Sequence, residues 1–308
     1  MWRTRPDSLH IVYFEIYQMK RVATLLVLIL IIISCGRNAG DTHRKTISVS
    51  IEPFKYFTSS IVGEIYDVNV IVPSGASPAT YEPTPSVIRA LGGSEIVVLD
   101  GYLGFELAWM EKIMQVNRSA KRLLLSDSQD LLISEGHKHK EGEEHSGVDP
   151  HFWISPRSAK VIAEALYKFM IEHDPANEDN YYSNYQSLII EIDGLHNYLD
   201  SLLGPLQSRS FMIFHPALTY LARDYNLEQI PVEIEGKEPS PADLKNFIDR
   251  GRSENINVIM VQKEFDKRNV QIIADEIGAT VVEIDPLSEN WIESVINIAN
   301  AIATGTDK

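Results

Sequence analysis

Tyr181, Tyr185, Leu188, Ile192, Leu195, Leu199 and Leu202 recur at steps of three and four residues, which puts their side chains on one face of a single helix. Asp174-Pro175 supplies a start signal before this run, and Gly204-Pro205 stops it. A helix of about six turns is a strut, not a loose hinge. Whatever lies on its two sides is held apart and in register by it.

Both sides carry the same style of pattern. Upstream, residues 46–51, 68–72, 95–99 and 122–125 read as strands, and 53–62, 83–91, 105–114 and 157–172 as helices. Downstream, 210–214, 258–262 and 280–284 read as strands, and 217–225, 241–251, 270–278 and 291–303 as helices. Alternation of this kind predicts an α/β fold of two lobes, each a mainly parallel sheet flanked by helices, joined by one long rigid helix. The lobes are placed at 46–172 and 207–305, with the linker helix inside 173–206. A length of 308 residues fits such a pair of lobes. No internal repeat strong enough to mark a duplication is visible.

The amino terminus is of a different kind. Lys20 and Arg21 precede twelve uncharged residues, 22–33. That run is too short to span a bilayer as a helix but suits the apolar core of a secretory signal. Ile32-Ile33-Ser34-Cys35 follows the pattern of a bacterial lipobox, and Cys35 is the single cysteine of the chain. Residues 1–34 are therefore expected to be a leader and lipoprotein signal peptide. Met19 reads as the natural start, Cys35 as the lipid attachment point, and 35–45 as a polar tether. The protein is expected in the bacterial cell envelope, exported and anchored through Cys35 on the periplasmic or extracellular face. With one cysteine no internal disulfide is possible.

Lys and Arg number 28 against 43 Asp and Glu, a net charge of −15. A nucleic-acid partner needs a basic face, so that class is excluded. The acidity is compatible with a cationic ligand, and equally with solubility alone.

The histidines separate by setting. His10 lies in the leader, His43 in the tether, and His173 and His196 at or in the long helix, where no role is assigned to them. His151 follows Asp149-Pro150 and precedes Phe152-Trp153-Ile154-Ser155-Pro156; the proline restricts Asp149 to extended geometry, so the loop is stiff. His215 directly follows the strand at 210–214, and Asp285 the strand at 280–284, each with proline next. Ligand sites form at such strand ends in open α/β sheets. Two imidazoles and a carboxylate suit a borderline cation such as zinc. Spacing alone favours the plainer reading, in which His151 and His215 cap helices or hydrogen-bond loops and Asp285 caps a turn. Residues 135–147 carry His137, His139 and His145 among four glutamates, the composition of a metal-capture loop or of a solvated charged one.

Read in order, the segments 74–85 (Ser-Gly-Ala-Ser-Pro-Ala-Thr-Tyr-Glu-Pro-Thr-Pro), Asp149-Pro150-His151-Phe152-Trp153, His215-Pro216-Ala217-Leu218 and Asp285-Pro286-Leu287 resemble the metal-specific solute-binding proteins of bacterial ABC transporters, in particular the ZnuA-like zinc-uptake group, cluster A-I. The resemblance runs from about residue 46 to 303. The His-rich loop and a histidine at 215 are similar to the zinc branch; manganese-type relatives tend to carry a carboxylate there. One position departs: the family pattern has its first ligand histidine after Ser-Pro, and Ala79 stands there.

The resemblance implies His151, His215 and Asp285 as metal ligands, with no catalytic residues, Zn²⁺ as the transported ligand rather than a resident cofactor, and a membrane ABC permease as partner of a monomeric binding protein. Glu82 and the loop histidines are candidates for the place that Ala79 leaves open. Release is expected to involve small lobe or loop shifts, because the strut is stiff. Other classes stay open: a degenerate relative acting in metal buffering, adhesion or as an accessory lipoprotein; a manganese or iron transporter component; a zinc hydrolase. Against the last, the chain has no His-Glu-x-x-His pair and no Gly-x-Ser-x-Gly elbow.

Overall fold

Short apolar runs without alternating polar residues have to be covered on both faces, and the chain solves this twice with parallel sheets under helices. The computed structural model describes residues 44–133, 147–233 and 239–306. Its first sheet consists of β1 (Lys45–Val49), β2 (Tyr66–Val70), β3 (Ile96–Leu99) and β4 (Lys121–Leu124), all parallel, in the order β2-β1-β3-β4. The second consists of β5 (Ser210–Ile213), β6 (Glu228–Pro231), β7 (Val258–Gln262) and β8 (Thr280–Ile284), also parallel, in the order β6-β5-β7-β8. Every residue of β3, β5 and β7 is buried. In each sheet the winding direction reverses beside the first strand, between β1 and β3 and between β5 and β7, which opens a crevice at the carboxyl ends of those strands.

The helices are α1 (Glu52–Val62), α2 (Pro85–Gly92), α3 (Gly104–Val116), α4 (Pro156–His173), α5 (Glu178–Leu203), α6 (Thr219–Asp224), α7 (Pro241–Ser253), α8 (Arg268–Ile277) and α9 (Trp291–Thr306). The strut is α5, whose 26 residues extend about 39 Å. Tyr181, Leu188, Ile192, Leu195 and Leu199 are buried along it as the periodicity predicts, and Leu203 rather than Leu202 closes the stripe. It packs on α1 and α4 from one half and on α9 from the other. The strut does not stand free. One apolar core runs from Ile47, Phe54 and Trp153 through α5 to Phe211, Met260, Trp291 and Ile298, so residues from 44 onward make one compact unit. A second, smaller core around Met212, Ile230, Ile259 and Ile273 lies between the second sheet and α7–α8.

Two details differ from the sequence reading. Glu228–Pro231 is a strand that periodicity did not reveal; it is an edge strand ending on proline, and only Ile230 is buried in it. Residues His151–Ile154 form one turn of 3₁₀ helix where a stiff loop is expected, with Ser155 then capping α4 by accepting from the Ser158 amide at 3.2 Å.

Candidate metal site

The 3₁₀ turn that carries His151 is fixed before and behind the imidazole. Asp149 is 4% exposed, and its Oδ1 accepts from the His151 amide at 2.9 Å and from His151 Nδ1 at 2.8 Å. The backbone of Asp149 is held too: its amide donates to Leu132 O at 2.9 Å, and Tyr220 OH donates to its carbonyl at 2.8 Å. Burial would raise the Asp149 pKa, but the charge of His151 and hydrogen bonds from His151 and Thr219 outweigh it and hold the carboxyl below its ordinary value. Behind the ring, the Trp153 indole donates to Pro286 O at 2.9 Å, and the Trp291 indole donates to Trp153 O at 2.8 Å. The His151 turn is thus tied to the loop that carries Asp285.

His215 leaves the end of β5 next to the winding reversal. Gln262, buried at the end of β7, clamps its backbone: Oε1 accepts from the His215 amide at 3.3 Å and Nε2 donates to the His215 carbonyl at 2.7 Å. Phe265 stacks on the ring at 5.2 Å and 26°. Glu233, 5% exposed at its side chain, faces His215 Nδ1 at 2.7 Å.

The two imidazoles then meet edge to face, Nε2 to Nε2 at 3.3 Å, with ring centroids 5.1 Å apart. Each has a carboxylate on its Nδ1, which in the neutral ring fixes the proton on Nδ1 and turns the Nε2 lone pair toward the other ring. In the neutral rings two lone pairs face each other at that distance, and a proton or a metal cation between them relieves the repulsion. Zinc–imidazole bonds of ~2.0–2.1 Å at a tetrahedral angle set their nitrogens ~3.3–3.4 Å apart. The spacing of the pair matches one edge of such a tetrahedron.

Asp285 is placed at the end of β8, as expected, but is engaged elsewhere. Its Oδ2 is 2.6 Å from Lys263 Nζ, and its Oδ1 accepts from the Leu287 amide at 3.2 Å. Among the described residues no group of three or more His, Cys, Asp or Glu side chains is disposed to hold an ion. The fold brings His151 and His215 together and leaves Asp285 with a lysine. Ala79 is exposed on a loop pinned to the start of α3, where the Phe105 amide donates to Pro78 O at 3.0 Å. A Cβ on Gly104 would sit 2.2 Å from Ala79 O, so only glycine lets this loop lie so close. Glu82 is exposed on the same loop. His173 pairs with Glu95 at 2.7 Å and His196 with Tyr225 OH at 2.8 Å, both structural partners. Cys35, His137, His139 and His145 lie outside the described residues.

Sequence reasoning missed Glu233, Gln262 and Lys263. The Asp-Pro-His spacing carried a signal for Asp149, an acceptor two residues before the ring it orients. Glu233 had none, since the strand before it went unread.

The family model of the zinc-uptake complex component A, periplasmic, matches residues 47–305. A crystal structure of ZnuA superposes with a TM-score of 0.81 at 38% identity, covering 85% of this chain and 99% of that one. The high-affinity zinc uptake system protein ZnuA of Bacillus subtilis strain 168 is 27% identical over 84% of this chain and 85% of its own length. The iron-binding protein YfeA of Yersinia pestis is 26% identical over 82% of this chain and 81% of its own.

Proposed function

The chain belongs to the family of zinc-uptake complex component A, metal-binding components of ABC uptake in the cell envelope and not enzymes, and from that premise we propose that it captures Zn²⁺ outside the cytoplasmic membrane and delivers it to an ABC permease. The observation that carries zinc is the pair of carboxylate-backed imidazoles with Nε2 atoms 3.3 Å apart. His151 and His215 supply two nitrogens, and Asp285 joins them once it leaves Lys263. With Ala79 contributing only a methyl group, water fills what remains of the tetrahedron. Imidazole binds the ion only when its Nε2 is unprotonated, so protons compete with zinc. Cys35 is the lipid anchor in this reading, the 35–45 segment the tether, the loop histidines His137, His139 and His145 a first point of capture, and the protein works as a monomer.

The test is elemental analysis of the full chain, purified in detergent without chelators, followed by competition titration with a chromophoric chelator. Zinc is expected at one ion per chain, and His215→Ala is expected to abolish tight binding. Manganese or iron at that stoichiometry, or unchanged affinity in the variant, would overturn the reading.

A second reading rests on Ala79 and on the Lys263–Asp285 pair: a relative with a weakened site that buffers metal at the membrane instead of feeding a permease. Growth under zinc limitation separates the two, because only a transport component sustains it.

A further inference from the structure

Lys263 has no part in the site as described, yet it holds the carboxylate that the site needs. Its Nζ lies 2.6 Å from Asp285 Oδ2 and 3.4 Å from Ser74 Oγ. Ser74 opens the loop that carries Ala79. One ammonium therefore bridges the segment that lacks its imidazole and the segment that carries the acid. The other oxygen of Asp285 is taken by the Leu287 amide. Two more carboxyls stand within electrostatic reach of this pair. Burial pushes Glu52 and Glu264 up from their ordinary values, Asp285 adds to that, and Lys263 works against it. Lys263, together with Lys55 on Glu52, is thus a cation that balances this acidic corner.

We propose that Lys263 is a specificity-determining residue, an internal counter-ion that withholds Asp285 and so selects nitrogen-seeking cations over oxygen-seeking ones. The inference rests on the metal-capture reading above and deepens it. With Asp285 occupied, an incoming ion meets two neutral imidazoles. Manganese and magnesium depend on carboxylate and other oxygen donors and gain little from such a site. Zinc gains most of its affinity from the nitrogens and tolerates water in the remaining positions. Only an ion already seated on both imidazoles brings enough positive charge to draw Asp285 away from the lysine. The absent histidine at 79 and the lysine at 263 are then connected through Ser74, which the ammonium reaches on the loop that carries Ala79.

The experiment uses the full chain in detergent and titrates Zn²⁺ and Mn²⁺ separately by competition and by calorimetry. Lys263→Met removes the charge and keeps the stem; Lys263→Arg keeps the charge; Lys263→Met with Asp285→Asn removes both partners. Manganese affinity is expected to rise at least about tenfold in Lys263→Met, with a smaller gain for zinc, so the zinc-to-manganese ratio narrows. Lys263→Arg should match the parent, and the double variant should lose the gain. Thermal melts without metal check that each variant is folded, and a part-exposed lysine should leave them near the parent. A parent that binds zinc with an unchanged ratio in Lys263→Met overturns this inference alone. If neither parent nor Lys263→Met binds either ion, the zinc reading falls and this one with it. Binding of manganese only after Lys263→Met supports the blocking role.

Discussion

Glu233 offers the sharpest test of the proposal that these two histidines are ligands and not packing residues. It sits on the far side of His215 from the proposed ion, accepts from Nδ1 at 2.7 Å, and is 5% exposed at its side chain. Its contribution is to fix the tautomer and to raise the basicity of Nε2. Glu233→Gln keeps an oxygen acceptor and removes the charge. Glu233→Leu removes the acceptor, frees the tautomer and leaves a part-buried N–H without a partner. Partners of this kind are worth roughly 10–100-fold in metal affinity. Tenfold corresponds to about 1.4 kcal/mol, and a hundredfold to about 2.8 kcal/mol. The glutamine variant is expected at the low end of that range and the leucine variant at the high end. Competition titration of zinc against a chromophoric chelator reads both, with thermal melts of the metal-free proteins to show that the fold survives. A leucine variant that binds zinc as tightly as the parent would refute the claim that the carboxylates behind the rings make them ligands.

Ala79→His should tighten zinc binding, since the loop at 79 is already pinned at the start of α3 and the new ring adds a nitrogen donor; the same titration reads it, and no gain would mean that the corner is already filled. A second expectation concerns pH and stability. Glu106 and Asp100 are a buried carboxyl pair in the first lobe; Glu106 accepts from the Asp100 amide at 3.0 Å and the Gly101 amide at 2.6 Å. Burial pushes Glu106 up to about 7 from an ordinary 4.5, and burial together with the neighbouring Glu106 raises Asp100 as well. A carboxyl raised in the folded state contributes fully below its unfolded value, and that contribution is lost as pH rises through the folded value. Urea denaturation of the metal-free protein should therefore show the parent losing on the order of a few kcal/mol between about pH 4.5 and 8 relative to Glu106→Gln, which carries no ionisable group there. Parallel pH profiles for the two proteins would contradict the burial of an ionisable pair.

Much of the fold was legible because it rests on periodicity. The stripe from Tyr181 to Leu199 exists because a helix bordered by both halves must bury one face along its whole length, and strands such as Ile96–Leu99 stand out because nothing polar interrupts them. The repetition of strand order in the two sheets was not legible, since topology can repeat where residues do not. Nor was the edge strand Glu228–Pro231, in which a single buried isoleucine is all that the core asks of the sequence. That gap hid Glu233, and with it half of the argument for His215.

The site divides along the same line. His151 and His215 each declared themselves as a stiff proline-flanked position at a strand or helix end, but 64 residues separate them and only tertiary packing sets their nitrogens 3.3 Å apart. Asp285 has the same local signature and a different fate, because a lysine 22 residues earlier reaches it first. Local sequence specifies what a side chain can donate; it does not specify which charge arrives to claim it. The packing also decides how the site can open. Trp153 and Trp291 stitch the His151 turn to the Asp285 loop through backbone carbonyls, and the core under them is continuous from one sheet to the other. A wide rotation of the lobes would break both indole hydrogen bonds and expose that core, whereas moving the Lys263 ammonium off Asp285 costs only a part-exposed ion pair. On the proposed reading, uptake and release are therefore most economically coupled to the side chains of the Asp285–Lys263 corner and the Ala79 loop, with the strut and the tryptophan stitches holding the two imidazoles in place throughout.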